Sequence, residues 1–485
     1  MILALVRLLR KLTYLGKVGN LRRVRIRGQK RGFGPKWSFA IGSLTRRSPM
    51  QLIKRALFLL LVLPLYLSAD WTPGVTLGDK NSNGSDVIMD SQGNATAVWM
   101  YSTEHQTTIR GAKQLAGQTW SPSVEIGSGY YPDIATDKEG NVMAIWYSTV
   151  RTHPTKDPII TIHGAILPSN STDGWIPVDD IPTHISEITK VPSLGLDENG
   201  NALVVWVSKE KTNILIQAAR YNKDNKTWTI LSPIKLSDFN SYNFALDPHG
   251  NAVLLWYVYK DSTSTLQTAT LQADSKKWDL QKQFKEIKGL VWGTSLAVDK
   301  EGNAFLIWSE GDDSNVKAST LPFKGKTWQK TIFPNVMSYY PRIRLDDQGN
   351  ATAVYIPHGS KTALFESTFL PKSSLQWSDP QTAVPNNSNF ITFYNLGVDP
   401  AGNALLVWED RTLGSVQAAL LPAGQSWSSP ISLDTVQSLQ DTPRIALSPV
   451  NSATLTYTLF VEEYPDGPLY CILRSVTGTD LFITK

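Results

Sequence analysis

Eight times along the chain an apolar run of strand length leads into a short polar turn and then into a second apolar run. The copies read DSQGNATAVW from Asp90, DKEGNVMAIW from Asp137, DENGNALVVW from Asp197, DPHGNAVLLW from Asp247, DKEGNAFLIW from Asp299, DDQGNATAVY from Asp346, DPAGNALLVW from Asp399 and SPVNSATLTY from Ser448. Before each turn lie runs such as YPDIATD, VPSLGLD, TSLAVD and YNLGVD. After it, residues such as Ala404, Leu406 and Trp408 share one strand face while the interleaved positions are also apolar, which suits a strand covered on both sides. The pair predicts a β-hairpin, in which Asp caps its own turn and Gly supplies the positive φ that the loop requires. Asn451, where the other copies have Gly, is the residue that best tolerates the same backbone.

Two further strand-like segments complete each unit, a run such as ILIQAARY or VQAALLP and then a segment opening on Trp, such as WSPSVEI. Successive glycine positions are 47, 60, 50, 52, 47, 53 and 49 residues apart, and four strands at such a period predict a propeller blade. The expected fold is all-β: an eight-bladed β-propeller of four-stranded antiparallel blades over residues 70–485. The alternative is seven blades plus an irregular terminal unit, because the last copy is degenerate. Trp71–Leu77 is expected to be an outermost strand that closes the ring, with the tail TDLFITK competing for that place.

Two tryptophans recur at fixed register. One series is Trp99, Trp146, Trp206, Trp256, Trp308 and Trp408, and the other is Trp71, Trp120, Trp175, Trp228, Trp278, Trp328, Trp377 and Trp427, which together hold 14 of the 16 indoles. A residue placed once per blade is expected to wedge neighbouring blades together rather than to bind a ligand.

The pattern of apolar strand, Asp, two free positions, Gly-Asn and second strand resembles the repeats of bacterial NHL-type and related extracellular β-propellers. It differs from NHL repeats in ending the second strand on Trp, and from the sialidase Asp box in its spacing. The resemblance therefore implies an architecture and no activity.

Residues 50–69, with Lys54 and Arg55 ahead of an uncharged stretch from Ala56 to Ala69, are expected to be a secretory signal peptide, with a retained anchor as the alternative. Residues 1–49 hold 13 Lys and Arg and no acid, and are expected to be a basic extension that is untranslated or disordered. Without residues 1–69 the chain keeps 32 basic and 42 acidic residues, a net charge of 32 − 42 = −10. That disfavours nucleic acid and anionic lipid as partners. Cys471 is the only cysteine, so no internal disulfide is available, and the expected setting is secreted, periplasmic or cell-envelope.

The loops entering the first strands carry aromatics that differ from blade to blade. Tyr131, Tyr242, Trp292, Tyr340 and Tyr394 are the expected ligand-binding residues, suited to stacking on glycans or peptides. Glu310, Asp312, Asp313, Glu409 and Asp410 are the carboxylates placed to hydrolyse a glycoside, and Arg342, Arg344 and Arg444 are the arginines near the first strands. The histidines show no metal spacing and the repeated Asp offers too few oxygens for calcium, so no metal or cofactor is expected. The expected function is non-catalytic recognition of a protein or glycan by a monomer, without membrane insertion of the mature chain. The alternative is a glycoside-processing enzyme, hydrolase or sialidase-like, of propeller fold.

Overall fold

The computed structural model of the chain describes residues 70–482 apart from 152–157, 183, 184, 186, 282–284, 312, 361, 362, 386–390, 437 and 463–468. The expectations for residues 1–49 and 50–69 lie outside the described residues. Among the described residues no helix is long and apolar enough to cross a membrane.

Eight antiparallel four-stranded sheets follow one another along the chain as the blades of a β-propeller. Blade 1 sets the pattern with strands Ser82–Met89, Ala95–Ser102, Thr107–Gln114 and Val124–Ser128, joined in sequence order. The first strands of the blades are Ser82–Met89, Tyr130–Thr136, Ile188–Leu196, Ser241–Leu246, Val291–Val298, Arg342–Leu345, Ile391–Val398 and Arg444–Ser448. Each neighbours the first strand of the next blade, and that of blade 8 returns to that of blade 1, so these strands surround a common axis. The degenerate copy thus builds a full eighth blade, and Asn451 takes φ +60° where the seven glycines take +81° to +87°.

The ring is closed by the amino-terminal segment. Asp70 and Trp71 pair with Thr479 and Gly478, and Val75 and Thr76 pair with Ser475 and Arg474, which supplies the outermost strand of blade 8. The described residues of the tail do not compete for that edge. Leu481 and Phe482 fold back into the apolar layer between blades 7 and 8.

The motif turns show why Asp, Gly and Asn recur. In blade 2, Asp137 Oδ1 accepts the backbone N–H groups of Glu139 and Asn141 at 3.0 and 2.9 Å, and Oδ2 accepts Asn141 Nδ2 at 2.8 Å. Asn141 Oδ1 then accepts the N–H of Ser169 in the turn between the third and fourth strands, at 3.0 Å. The same four bonds recur in the other intact copies, so the motif ties both turns on one face of each blade into a unit.

The core is divided among the junctions between blades. One cluster joins Val205, Val207 and Ile216 of blade 3 to Leu254, Trp256 and Leu271 of blade 4, and every other junction, including blade 8 to blade 1, has its own. The second-strand tryptophans sit in these layers and are almost fully buried. The outer tryptophans reach sideways: Trp328 Nε1 donates to Thr268 Oγ1 of the preceding blade at 3.0 Å, Trp427 Nε1 to Ser367 Oγ at 2.9 Å, and Trp377 Nε1 to Thr331 Oγ1 at 3.0 Å. Burying about 200 Å2 of indole contributes up to about 5 kcal/mol each, so the ring needs no disulfide.

Candidate functional site

The opening of the propeller is built by parity. Counting back from the motif Asp, or Ser448 in blade 8, the third residue is Val87, Ile134, Leu194, Phe244, Leu296, Ile343, Leu396 or Ile445, which packs between blades. The fourth is Asp86, Asp133, Ser193, Asn243, Ser295, Arg342, Asn395 or Arg444, polar in every blade, and with the second it faces the axial opening. A first strand has no neighbour on its axial side, so its free N–H groups need other partners. The polar column supplies several of them. Asp133 Oδ2 accepts the N–H of Leu194 at 2.7 Å and Ser295 Oγ accepts that of Ile343 at 3.2 Å, each from the next blade, while Asn395 Nδ2 donates to the carbonyl of Pro443 at 3.0 Å.

The column is not neutral round the ring. Asp86 and Asp133 stand together in blades 1 and 2. Burial raises the Asp133 carboxyl well above the usual carboxylate range, and the neighbouring Asp86 raises it further, against the opposing pull of the Leu194 N–H and of Arg444. Across the opening, blade 6 presents Arg342 and Arg344 two residues apart on one strand. Arg344 donates to the carbonyl of Ile343 at 2.8 Å and reaches Asn395 Oδ1 at 3.5 Å. Burial and the like charge of Arg342 push its pKa down to about 10. Arg342 lies 5.8 Å from the centroid of the Tyr394 ring, and its Nε is buried without a hydrogen-bond partner. Among the described residues no carboxylate forms an ion pair with either arginine.

Above the column lies an aromatic rim. Trp292 of blade 5 meets Tyr339 of blade 6 edge-on at 5.2 Å, and Tyr339 in turn meets His358 at 4.0 Å. Trp292 is 36% exposed, Tyr340 54% and Tyr131 50%. A β-carbon at Gly293 would lie 3.1 Å from Tyr340 Cα, so the two blades touch through backbone here. Tyr131 belongs to a separate patch on blade 2, stacked on Tyr147 at 6.0 Å. First strands of blades 1, 2, 3, 5 and 7 carry a register shift at this level, and those of blades 5 and 2 fall at Trp292 and Tyr131 and re-aim these two side chains.

Tyr242 and Tyr394 lie beneath this surface. Both are the fifth residue before the motif Asp, so they share parity with the apolar third position and turn into the blade junctions. The Tyr242 hydroxyl is within hydrogen-bonding distance of Val191 O, Ser193 Oγ and Val205 O, at 3.0, 2.9 and 3.0 Å. Tyr394 donates to the backbone carbonyl of Tyr340 and so supports the rim from below.

The loop carboxylates are engaged in structure. Glu310 accepts Trp308 Nε1 at 2.9 Å, Glu409 accepts the N–H of Leu439 at 2.8 Å, and Asp410 accepts that of Leu413 at 2.9 Å. Asp313 is exposed and Asp312 lies outside the described residues. Among the described residues no cluster of three metal-ligating side chains occurs. On the opposite face a cleft of about 510 Å3 opens between blades 6 and 7, but its carboxylate, Asp346, is occupied in capping its own turn.

No protein-family model and no curated protein matches the chain. Similar solved structures include the β-propeller domain of the Trilobed protease from Pyrococcus furiosus, 10% identical over 73% of this chain and 97% of that one, with a TM-score of 0.43. They also include an ulvanlyase, a polysaccharide lyase, 12% identical over 73% and 98% with a TM-score of 0.45. A third is the fucose-specific lectin from Aleuria aurantia, 12% identical over 74% and 99% with a TM-score of 0.37. The fold rests on the strand pairing itself: the chain is an eight-bladed, all-β propeller.

Proposed function

We propose that the chain is an exported recognition module that binds a glycan bearing a carboxylate at the axial opening of blades 5–7. One observation carries this reading: the exposed rings of Trp292 and Tyr340 lie where the first strands of blades 5 and 6 are entered, and the blade 6 strand carries Arg342 and Arg344, two clustered guanidinium groups with no anionic partner among the described residues. Rings of this kind stack on the apolar face of a sugar, and a guanidinium pair suits a planar carboxylate. The Asp-x-x-Gly-Asn repeat, similar to that of extracellular NHL-type propellers, and the apolar segment at 50–69 support a secreted, periplasmic or envelope location, with anchoring by that segment as the alternative. The acidic mature charge speaks against nucleic acid.

Titration calorimetry of the mature chain against glucuronate and galacturonate oligosaccharides and their neutral counterparts tests the reading. Binding confined to the acidic sugars, lost in Arg344→Met and weakened at least ~10-fold in Trp292→Ala, supports it. Equal binding of neutral and acidic sugars, or none of either, refutes it.

A glycoside-processing activity is the second reading, favoured by the Asp86–Asp133 pair. Two neighbouring carboxyls, one of them favoured in its acid form by burial, supply the residue types that glycosidases use as acid and nucleophile. Turnover of chromogenic glycosides that disappears in Asp133→Asn would establish it.

A further inference from the structure

We infer that Ser148, His163 and Asp180 of blade 2 form a nucleophilic site for carboxylic esters with short aliphatic acyl groups. The three side chains come from successive strands and the segment that follows them. Ser148 is on the second strand, Val142–Val150, and His163 on the third, Ile159–Leu167, while Asp180 lies two residues beyond the outer strand, Ile176–Val178. Trp146 pairs directly with His163 and Ser148 with Thr161, so Ser148 and His163 are diagonal neighbours on one sheet face. Val178 pairs with Gly164 and the Ile181 N–H donates to the Ile162 carbonyl, which brings Asp180 alongside His163.

The contacts have the order that nucleophile activation requires. Ser148 Oγ is 2.7 Å from His163 Nε2, and His163 Nδ1 is 2.6 Å from Asp180 Oδ1. An ionised carboxylate can only accept, so Nδ1 carries the hydrogen and Nε2 is left to accept from the serine hydroxyl. The imidazole is held on its other side by Trp146, with ring centroids 5.7 Å apart, and its side chain remains 26% exposed.

Comparison with blade 3 separates this arrangement from ordinary sheet polarity. There Ser208 occupies the place of Ser148, and Gln217 that of His163, donating to Ser208 Oγ at 2.6 Å. The amide can orient a hydroxyl but cannot remove its proton. Blade 2 alone among these two pairs a base with the serine and a carboxylate with the base.

The substrate class follows from what lies beside the hydroxyl. Val150 and Ile159 share the face of Ser148, pair with each other, and are 56% and 55% exposed, which gives a short acyl chain an apolar surface. As Oγ attacks the ester carbon, its proton passes to Nε2; the imidazolium then returns that proton to the alcohol oxygen as the carbon–oxygen bond breaks. Water attacks the acyl-serine by the same route and releases the carboxylic acid. Ser148 lies within a strand, not on a turn whose consecutive N–H groups converge on one oxygen, so turnover is expected to be slow and to favour activated esters.

The test treats the full chain with a fluorophosphonate and maps the modified serine by mass spectrometry, beside hydrolysis of p-nitrophenyl acetate and butyrate. Labelling at Ser148 but not at Ser208 is expected. His163→Gln, which copies the blade 3 pair, should slow it on the order of 100-fold with an unchanged urea midpoint. Asp180→Asn, at an exposed position, should slow it at least ~10-fold. Absence of labelling, equal labelling of Ser148 and Ser208, or a rate untouched by either variant overturns the assignment.

Discussion

Gly200 of blade 3 rests on Asp137 of blade 2: a β-carbon at the glycine would lie 2.9 Å from the carboxylate Oδ2. The same contact recurs round the ring, with Gly140 against Asp90, Gly302 against Asp247 and Gly349 against Asp299, each at 3.0 Å. The glycine therefore serves two ends, a φ of +84° in its own turn and close approach of the neighbouring turn. Gly200→Ala is expected to destabilise by about 2–3 kcal/mol in urea unfolding. Gly424→Ala, at φ +72° with nothing within 4 Å of the added carbon, should cost only about 1 kcal/mol.

Trp206 is fully buried at the junction of blades 2 and 3, and its Nε1 has no hydrogen-bond partner, so its contribution is packing alone. Trp206→Ala should lower stability by about 3–5 kcal/mol by chemical denaturation. A loss below about 1 kcal/mol would contradict the wedge role.

The Asp133 carboxyl, raised by burial and by Asp86, binds its proton more tightly in the folded chain than in the unfolded one. Its contribution to stability is complete below the ordinary carboxylate range and is lost as pH rises from there through the elevated folded value. Asp133→Asn keeps an oxygen for the Leu194 N–H and removes the ionisation. The variant should melt higher than the parent at pH 7.5, with the gap closing at pH 4. Parallel melting curves at both pH values would refute this.

Arg474 fastens the closing strand. Its Nε donates to Asp434 Oδ2 of blade 7 at 2.7 Å and its Nη2 to the carbonyl of Gly74 at 2.7 Å, while Tyr457 donates to the same Asp434 oxygen at 2.6 Å. Arg474→Met should cost about 2 kcal/mol and make residues 70–78 the first segment cut in limited proteolysis. Unchanged cleavage there would argue against this clasp.

The number of blades and the hairpin at each motif are legible in the sequence, because each depends on residues within one period; which terminus closes the ring is not, because residue 71 pairs with residue 478. The rim is legible only in part. Tyr242 and Tyr394 stand one residue closer to the motif Asp than Tyr131 and Tyr340, and that single step changes which side of the strand they occupy. Counting from the Asp, rather than grouping aromatics by loop, separates them. The same count exposes the polar fourth column and its division into acidic and basic blades. Ser148, His163 and Asp180 follow no period, and only the pairing of three strands brings them together. The Asn141 bond to Ser169 is hidden for the same reason, since it spans 28 positions and ends on a backbone N–H that leaves no side-chain pattern to read.

Because residue 71 pairs with residue 478, the eighth sheet cannot be completed until the strand Leu469–Thr479 has been made. Until the last strand emerges, blade 8 has an uncovered flank and the junction to blade 1 is open, a surface on which a second chain could pair. Closure therefore joins segments 400 residues apart in one step, and its timing sets how long the open edge is exposed to mispairing.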